Sequence, residues 1–443
     1  MTATAVIGAQ WGDEGKGKVV DYLGRDASLV VRFQGGDNAG HTVVNPRGTF
    51  VLRLVPCGIF HEGARCLIGA GVAVNPRTLL SEMDHLAGRG VKVDGLLVDR
   101  RATLVMPWHP ALDRLEEEAR GAAPIGTTLR GVGPAFADKA GRWGLKVEDL
   151  LEKDWFARRV RESLSMVNPL LTRRYGAPAV DPDAVVEQYW AMGARWRDRI
   201  VDSLPVVREA LTGPKPVILE GQLGVMRDLD WGTYPYVTSS SPTPGGAAAG
   251  AGVPPWAITR VIGVAKAYTT AVGEGPFPVG EDSEIGAYLL SRGQEYGAVT
   301  GRPRRCGWFD AVAARYAVAV AGVTELALTK VDIMDGLDRV GICTAYQVDA
   351  KGSGSVEVGE GSGGVGRGGT FRIGDFPPGR LLQKARPVFE HLPGWTAPTA
   401  GVRYASELPA AARRFVRRLE ELVGVPVRLL STGPNREDVV TLT

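Results

Sequence analysis

The stretch GAQWGDEGKGKVVD, residues 8–21, follows an apolar run and has nearly the spacing of a phosphate-binding loop. The pattern G-x-x-x-x-G-K runs from Gly12 to Lys18, but Val19 stands where a Ser or Thr hydroxyl would bind magnesium. Such a turn can be purely structural, yet glycines between a strand and a helix let backbone N–H groups approach phosphate oxygens. The stretch therefore predicts a nucleoside triphosphate site whose metal is held by another group.

Two carboxylates, Asp13 and Glu14, lie inside this loop. They are costly beside phosphates unless a cation or a proton transfer requires them, so Asp13 is the first candidate for the missing metal ligand. In a second glycine segment, RFQGGDNAGHT at 32–42, a backbone carbonyl could complete a Mg²⁺ shell. His41 of that segment is either an idle loop histidine or a group that stabilises charge on a leaving phosphate.

Two further motifs carry charged side chains suited to recognition. In TKVD, Lys330 and Asp332 stand two residues apart, and a carboxylate there can accept hydrogen bonds from N1–H and the 2-amino group of guanine. An exposed salt bridge is the alternative. The run VTGRPRR, 299–305, places three arginines behind a glycine turn. Arginine forks suit the two carboxylates of aspartate, although arginine runs are usually solvated.

The elements that must position these motifs alternate along the chain. The helical pattern at 409–424 has apolar residues on one face and arginines opposite. Short apolar, β-branched runs predict buried strands at 4–8, 29–33, 216–221, 325–332 and 425–433. This alternation predicts an α/β fold with a mostly parallel central sheet flanked by helices, and ligands bind beyond the carboxyl ends of such strands.

Composition limits the class of protein. The 443 residues carry a net charge of +3, which does not indicate a nucleic-acid partner. The start has no signal peptide and no stretch of about 18 apolar residues follows, so we expect a cytoplasmic protein with no membrane contact. Four scattered cysteines suit reduced thiols; these are Cys57, Cys66, Cys306 and Cys343.

Two segments look like insertions. Residues 148–212 read as a charged helical insertion, for which a solvated amphipathic subdomain is the plainer interpretation. Residues 350–370 are so rich in Gly and Ser that they predict a flexible surface insertion without a core.

Seven blocks between Ile7 and Pro434 occur in an order and spacing that identify a family. They are QWGDEGKGK, QGGDNAGHT, GTYPYVTSS, GEGPFP, TGRPRRCGW, LTKVDIMDGL and STGP. Over nearly its whole length the chain resembles the adenylosuccinate synthetases. The resemblance implies a single domain, 1–443, with a P-loop-like α/β fold. It also implies a GTP-dependent ligase that uses Mg²⁺ to join L-aspartate to IMP, giving adenylosuccinate, GDP and phosphate, the step that commits IMP to AMP synthesis.

The resemblance also assigns the chemistry. The residue matching Asp13 takes the N1 proton of IMP, so that the 6-oxygen attacks the γ-phosphorus of GTP, and His41 donates toward the departing β-phosphate oxygen. The amine of aspartate then displaces phosphate from the 6-phosphoryl intermediate. The metal is held by the Asp13 carboxylate and the Gly40 carbonyl, which explains why no hydroxyl is needed at Val19.

The remaining assignments also follow from the resemblance. For GTP the matching positions are Gly12, Glu14, Gly15, Lys16, Gly17, Lys18, Gly40, His41, Thr42, Arg304, Lys330, Asp332, Ser431, Thr432 and Gly433. For IMP they are Asp13, Lys16, Asn38, Thr128, Arg142, Gln222, Thr238 and Arg302. For aspartate they are Val299, Thr300, Arg302 and Arg304. Arg142 is expected to reach the active site of a neighbouring subunit, which implies a homodimer.

Two positions depart from the family pattern. Leu223 replaces a glutamine that contacts IMP, so Gln222 substitutes for it or the contact is lost, and Val299 stands where many relatives have threonine. One alternative function is amination of a guanine nucleotide, in which the position of Asp13 is altered. A GTP-binding regulatory module is another, and it would not need VTGRPRR, His41 or Thr238. A plain α/β scaffold would not explain a carboxylate in the phosphate loop.

Overall fold

The computed structural model describes residues 2–280, 284–297, 301–349 and 370–442. These residues form alternating strands and helices that divide into two compact units. The first unit comprises Met1–Val6, Val20–Gln222 and Thr238–Arg260. The second comprises Ile7–Val19, Leu223–Val237 and Val261–Thr443.

The first unit has a sheet of parallel strands in the order β1-β10-β2-β5-β7-β9. Its short β-branched strands are buried on both faces, as expected for a parallel sheet covered by helices. The strands are β1 (Ala3–Gly8), whose last two residues belong to the second unit, β2 (Leu29–Arg32), β3 (His41–Asn45), β4 (Gly48–Leu52), β5 (Arg65–Ile68), β6 (Ala73–Val74), β7 (Leu96–Asp99), β8 (Thr103–Leu104), β9 (Ile200–Val201) and β10 (Val217–Glu220).

Side chains at the N-caps fix the starts of three of the helices that accompany this sheet. Asn75, Asp181 and Asp202 each accept a backbone N–H two residues further on. The helices are α1 (Lys16–Gly24), whose first turn belongs to the second unit, α2 (Pro76–Gly88), α3 (Trp108–Ala119), α4 (Val132–Gly141), α5 (Lys153–Pro169), α6 (Pro182–Gly193), α7 (Ser203–Thr212) and α8 (Pro244–Ala251).

The second unit contains the parallel strands β11, β15 and β19, with β20 antiparallel at the edge. Its strands are β11 (Ile258–Lys266), which begins in the first unit, β12 (Thr269–Ala271), β13 (Arg305–Gly307), β14 (Phe309–Asp310), β15 (Glu325–Thr329), β16 (Arg339–Asp349), β17 (Thr370–Ile373), β18 (Arg386–Pro393), β19 (Val427–Ser431) and β20 (Val439–Thr441). Its helices are α9 (Glu284–Gly293), α10 (Ala311–Ala321), α11 (Gly379–Leu382) and α12 (Ala410–Val423).

The predicted α/β fold with a mostly parallel central sheet is confirmed. All five predicted strands are present, and α12 buries the apolar face expected of it, including Phe415 and Leu419. The strand predicted at 325–332 ends earlier, at Thr329, because Lys330 adopts a left-handed conformation with φ +58°. Lys330 therefore lies just before a short 3-10 helix, Val331–Met334, which turns the chain and carries Asp332.

The segment 148–212 contains α5, α6 and α7, and also the edge strand β9. Its boundary as an insertion stays a prediction, as does the single domain. Residues 350–369 of the Gly/Ser-rich segment lie outside the described residues.

All four cysteines are free and buried. Among the described residues, no helix is both long and apolar enough to span a bilayer.

Candidate functional site

The glycine loop, residues 9–15, connects β1 to α1 at the carboxyl end of the strand. Gly12, Asp13 and Gly15 have φ values of +104°, +62° and +94°, so the loop turns through left-handed conformations. It leads into Lys16, the first residue of α1, where backbone N–H groups have no helical acceptor. This is the geometry in which a backbone can bind an anion.

Glu14 shapes the loop from inside the protein. Its Oε1 accepts hydrogen bonds from the backbone N of Gln10 at 3.1 Å and of Gly12 at 2.8 Å, and its Oε2 lies 2.5 Å from Lys16 Nζ. A Cβ at Gly8 would lie 2.4 Å from Oε2, so only glycine fits there. Because Glu14 is fully buried, its carboxylate holds the loop's shape, and direct contact with GTP stays a prediction.

Lys18 links α1 to the segment 431–438. Its Nζ donates at 2.7 Å each to Ser431 Oγ, the Gly433 carbonyl and the Asp438 carbonyl. Burial lowers the pKa of Lys18 to about 8, against the opposing charges of Asp438 and Asp332. With all three ammonium protons engaged, Lys18 ties the glycine loop's helix to the segment predicted to bind guanine.

Asp13 forms an ion pair with Arg304. The Arg304 Nε donates to Asp13 Oδ2 at 2.9 Å, and the Asp13 side chain is 25% exposed. The other edge of the guanidinium donates through Nη1 to Glu295 Oε2 at 2.5 Å. Asp13 therefore keeps access to a ligand while one of its oxygens is held in place.

Glu295 is fully buried among three cations and a phenol. Lys266 Nζ lies 2.8 Å from Oε2, while Lys330 Nζ at 2.7 Å and Tyr268 Oη at 2.5 Å reach Oε1. Burial opposes ionisation, but the charges of Lys266, Lys330 and Arg304 hold the pKa of Glu295 well below its usual range. The carboxylate is thus ionised and joins Arg304 to Lys330.

The sheet explains why these lysines meet. β11 and β15 are parallel, with Lys266 in register with Thr329, so Lys266 and Lys330 come at the ends of neighbouring strands. Lys330 forms its ion pair with Glu295, and the half-buried Asp332 has no ion-pair partner among the described residues. Burial raises the pKa of Asp332, against the charges of Lys18 and Lys330.

His41 lies in a second cluster, in the first unit. Its Nδ1 lies 2.6 Å from Glu220 Oε1, and the Arg32 Nη1 donates to the same oxygen at 3.1 Å. β2 and β10 are parallel, with Arg32 in register with Glu220, which places this pair at neighbouring strand ends. Burial opposes ionisation of Glu220, but His41 and Arg32 lower its pKa to about 2.

Gln222 lies two residues beyond Glu220 and is fully buried. Its Nε2 donates to Asn38 Oδ1 at 2.5 Å, and its Oε1 accepts from Arg32 Nη2 at 2.5 Å. The structure thus brings Gln222 and Asn38, both predicted to bind IMP, into contact. Leu223, the departure from the family pattern, has a left-handed backbone with φ +60°.

Three other residues of the first unit are predicted to bind IMP, and each has its own surroundings. Thr128 is half-buried at the end of a loop whose backbone N–H groups, at 125–127, donate to Glu117. Thr238 is 9% exposed. Arg142 is exposed just after α4, where its φ is +70° and it stands beside Trp143, whose indole donates to Asp138.

The loop predicted to bind aspartate is described in part. Arg302 is half-buried, whereas Val299 and Thr300 lie outside the described residues. Thr432, predicted for GTP, is buried and donates to the Val402 carbonyl at 2.8 Å.

Two donor sets could hold a metal. The Asp13 carboxylate and the Gly40 carbonyl are each a hard oxygen donor of the type that Mg²⁺ takes, and their joint use as metal ligands stays a prediction. His41, Cys57 and Glu220 place ligand atoms within 4.8 Å of one another. The guanidinium of Arg32 already contacts Glu220 there, which disfavours a second cation.

Sequence reasoning missed Glu220 and Glu295. A glutamate that ends the apolar run PVILE could have indicated a buried, paired carboxylate. Glu295 offers no such signal, because its partners are distant in sequence.

Comparisons with known proteins indicate the family of the chain. The adenylosuccinate synthetase family model matches residues 5–440. Proteins named adenylosuccinate synthetase from Moorella thermoacetica and an Exiguobacterium species are 48% and 44% identical, each over 100% of this chain and 99% of its relative.

Solved structures give the same result. Fully ligated adenylosuccinate synthetase from Plasmodium falciparum matches with a TM-score of 0.90 and 31% identity over 100% of both chains. A cyanophage S-2L succinoaminodeoxyadenylate synthetase, bound to dGMP and dATP, matches with a TM-score of 0.58 over 99% of this chain and 95% of its own. At 21% identity this second match shows the fold alone. Given a family model that spans nearly all residues and relatives alike over their full length, the chain belongs to the adenylosuccinate synthetase family.

Proposed function

We propose that this protein is a GTP-dependent ligase that joins L-aspartate to IMP and releases adenylosuccinate, GDP and phosphate. The observation that carries the proposal is the Asp13 carboxylate. It projects from a glycine loop, is partly exposed, and is paired through one oxygen with Arg304. A carboxylate placed where phosphates are expected is explained by proton transfer, which a regulatory GTP-binding module does not need.

The first step creates a leaving group on the purine. Asp13 takes the proton from N1 of IMP, and the 6-oxygen then attacks the γ-phosphorus of GTP as the bond to the β-phosphate oxygen breaks. His41 donates a proton toward that oxygen as GDP departs. Its contact with Glu220 supports this role, because a carboxylate bonded to one ring nitrogen fixes the orientation of the imidazole.

The second step uses the activated purine. The amine of aspartate attacks C6 of the 6-phosphoryl intermediate, the C6–O bond breaks, and phosphate leaves with the 6-oxygen while the nitrogen loses one proton to the departing phosphate or to solvent. Arg302 and Arg304, together with Val299 and Thr300, are proposed to bind aspartate. Guanidinium groups can hold each carboxylate through two hydrogen bonds.

The nucleotides are assigned to the clusters described above. Asp332 is proposed to select guanine, since its carboxylate has no ion-pair partner among the described residues and can accept two N–H groups. Lys18 would keep the guanine segment aligned with the glycine loop. For IMP we propose Lys16, Asn38, Thr128, Gln222, Thr238 and the Arg142 of a second copy, which makes the active form a homodimer.

Mg²⁺ is proposed as the metal, held by Asp13 and Gly40. When bound, it would neutralise charge on the GTP phosphates. The ligand-binding residues of the chain would still position the substrates, and Asp13 would still accept the N1 proton of IMP.

The test is formation of adenylosuccinate, followed by its absorbance, with purified protein, IMP, aspartate, GTP and MgCl₂. We expect product with GTP, far less with ATP, and none after chelation of the metal. Product formed from a guanylate in place of IMP would identify the alternative aminase. Guanine-nucleotide binding without product from either purine would identify a regulatory module.

A further inference from the structure

Glu295 occupies a position at which two parts of the site meet. It follows α9, and the backbone of 295–297 pairs with 302–304, so that Arg304 N donates to the Glu295 carbonyl at 2.9 Å. Gly297 N likewise donates to the Arg302 carbonyl at 2.8 Å. This pairing sets Arg304 beside Glu295 before any side-chain contact is considered.

The side-chain contacts then divide between the two carboxylate oxygens. Oε2 receives Arg304 and Lys266, while Oε1 receives Lys330 and Tyr268. The side chain of Glu295 is fully buried, so water cannot replace a lost partner at low cost. Each oxygen therefore fixes one residue assigned above to ligand binding.

We infer that Glu295 is a positioning residue for the ligation, holding Arg304 against Asp13 through one oxygen and Lys330 at the guanine turn through the other. The role in ligation rests on the proposed function. The contacts of Glu295 are features of the protein itself and do not depend on that proposal.

The Arg304 contact sets the orientation of a planar group. The guanidinium uses Nη1 for Glu295 and Nε for Asp13, so its plane is defined by two carboxylates at once. With a neutral side chain at position 295, the one remaining acceptor oxygen cannot balance the charges of both Arg304 and Lys330, so the orientation of Arg304 against Asp13 is less firmly fixed. Catalytic groups misplaced in this way lose turnover more than substrate affinity.

The Lys330 contact acts on nucleotide selection. Lys330 Nζ donates to Glu295 and to the Gly293 carbonyl, each at 2.7 Å, and it is thereby held in an ion pair that does not use Asp332. Loss of the Glu295 charge would free Lys330 to pair with Asp332, in competition with guanine. Affinity for the guanine nucleotide should therefore fall together with turnover.

The experiment compares E295Q with Y268F, which removes a neutral donor from the same carboxylate and leaves both charged contacts. We expect E295Q to lower kcat about tenfold or more and to raise the KM for GTP, with the KM for IMP changed less than about twofold. Y268F should stay within about threefold of the wild type in all three constants. Thermal unfolding of each variant would report the folded fraction.

A second variant separates positioning from charge balance. E295D keeps the negative charge but is one methylene shorter, so it cannot reach both Arg304 and Lys330. If E295D restores kcat and the KM for GTP, Glu295 acts by charge balance alone and the inference is overturned. Equal kinetic constants for E295Q and Y268F would also overturn it. E295D also serves if E295Q fails to fold.

Equilibrium binding of GDP, measured by calorimetry, keeps this test apart from that of the function. We expect E295Q to bind GDP more weakly than Y268F even if the wild type ligates nothing. An inactive wild type would reject the proposed function alone, whereas equal GDP affinity in both variants would reject the positioning of Lys330.

Discussion

Oε1 of Glu220 lies 2.6 Å from Nδ1 of His41, and its Oε2 accepts the backbone N–H of Cys57 at 2.8 Å. The carboxylate is thus fixed on both oxygens, and the imidazole can donate its Nδ1 proton to it. With Nδ1 engaged in this way, the proposed donation to the leaving oxygen is assigned to Nε2. A carboxylate behind a histidine fixes the tautomer and orientation of the ring.

His41→Asn should lower kcat by about 100-fold or more, as expected for the loss of a group that donates to the leaving oxygen. Glu220→Gln should have a smaller effect, about tenfold, because the amide oxygen can still accept from Nδ1. Cys57→Ser is the matched control, because the serine hydroxyl can donate to Glu220 as the Cys57 thiol does. If His41→Asn changed only the KM for GTP, His41 would be a binding residue.

The same carboxylate should contribute to stability in acid. The pKa of Glu220 is about 2 in the folded protein against an ordinary value of 4.5. Between these values the unfolded chain binds more protons, so the contribution is complete above 4.5 and is lost as the pH falls toward about 2. Urea unfolding at about pH 5 and about pH 3 should show a smaller loss of unfolding free energy for Glu220→Gln than for the wild type. Parallel losses would show that Glu220 contributes nothing in this range.

The strands were predictable because each is a short apolar run between glycines or polar turns. The positions of the glycine loop and of the TKVD segment at the carboxyl ends of strands follow from those strands, whereas His41 begins β3, a strand that was not predicted. Ordered motifs then gave the family, and family membership is confirmed by relatives that match over their full length.

The contacts that support the site were not predictable in the same way. The sequence suggests Lys18 as a phosphate ligand, yet its partners lie more than 400 residues away, in the segment 431–438. The register of two parallel strands sets Arg32 beside Glu220, and register is not visible in either strand alone. The three cations that contact Glu295, Lys266, Arg304 and Lys330, belong to separate segments that only the tertiary fold brings together.

Asp13→Asn should abolish turnover while GTP still binds. The amide has the shape of the carboxylate but cannot take the N1 proton, so we expect kcat to fall by about 100-fold or more. Calorimetric titration with GTP would measure the retained affinity, and Asp26→Asn, a change at an exposed aspartate, controls for the loss of one negative charge. Near-normal turnover would exclude Asp13 as the base.

Asp332→Ala should weaken selection of guanine. The wild type should prefer GTP to ITP, which lacks the 2-amino group, because a buried acceptor left without its donor costs about 1–3 kcal/mol. In Asp332→Ala this preference should largely disappear, with kcat/KM for GTP lowered toward that for ITP. Asp338→Ala, beyond the turn, is the control. A preference for GTP that survives in Asp332→Ala would place guanine recognition elsewhere.

Arg142→Leu should raise the KM for IMP about tenfold or more, since a hydrogen bond from an arginine to a phosphate is lost. Arg142 is exposed at the end of α4, so the change should leave the unfolding temperature unaltered. Arg114→Leu, which removes another exposed arginine, should keep the wild-type KM.

Mixing Arg142→Leu with Asp13→Asn tests whether the arginine acts across a dimer. If subunits exchange freely, half of the dimers are hybrids. One of the two sites in each hybrid has an intact Asp13 from one chain and an intact Arg142 from the other. Activity at low IMP should then rise to about a quarter of the wild-type value. No rise after subunit exchange, verified by mass spectrometry of the mixed dimers, would show that each active site uses its own Arg142 or none.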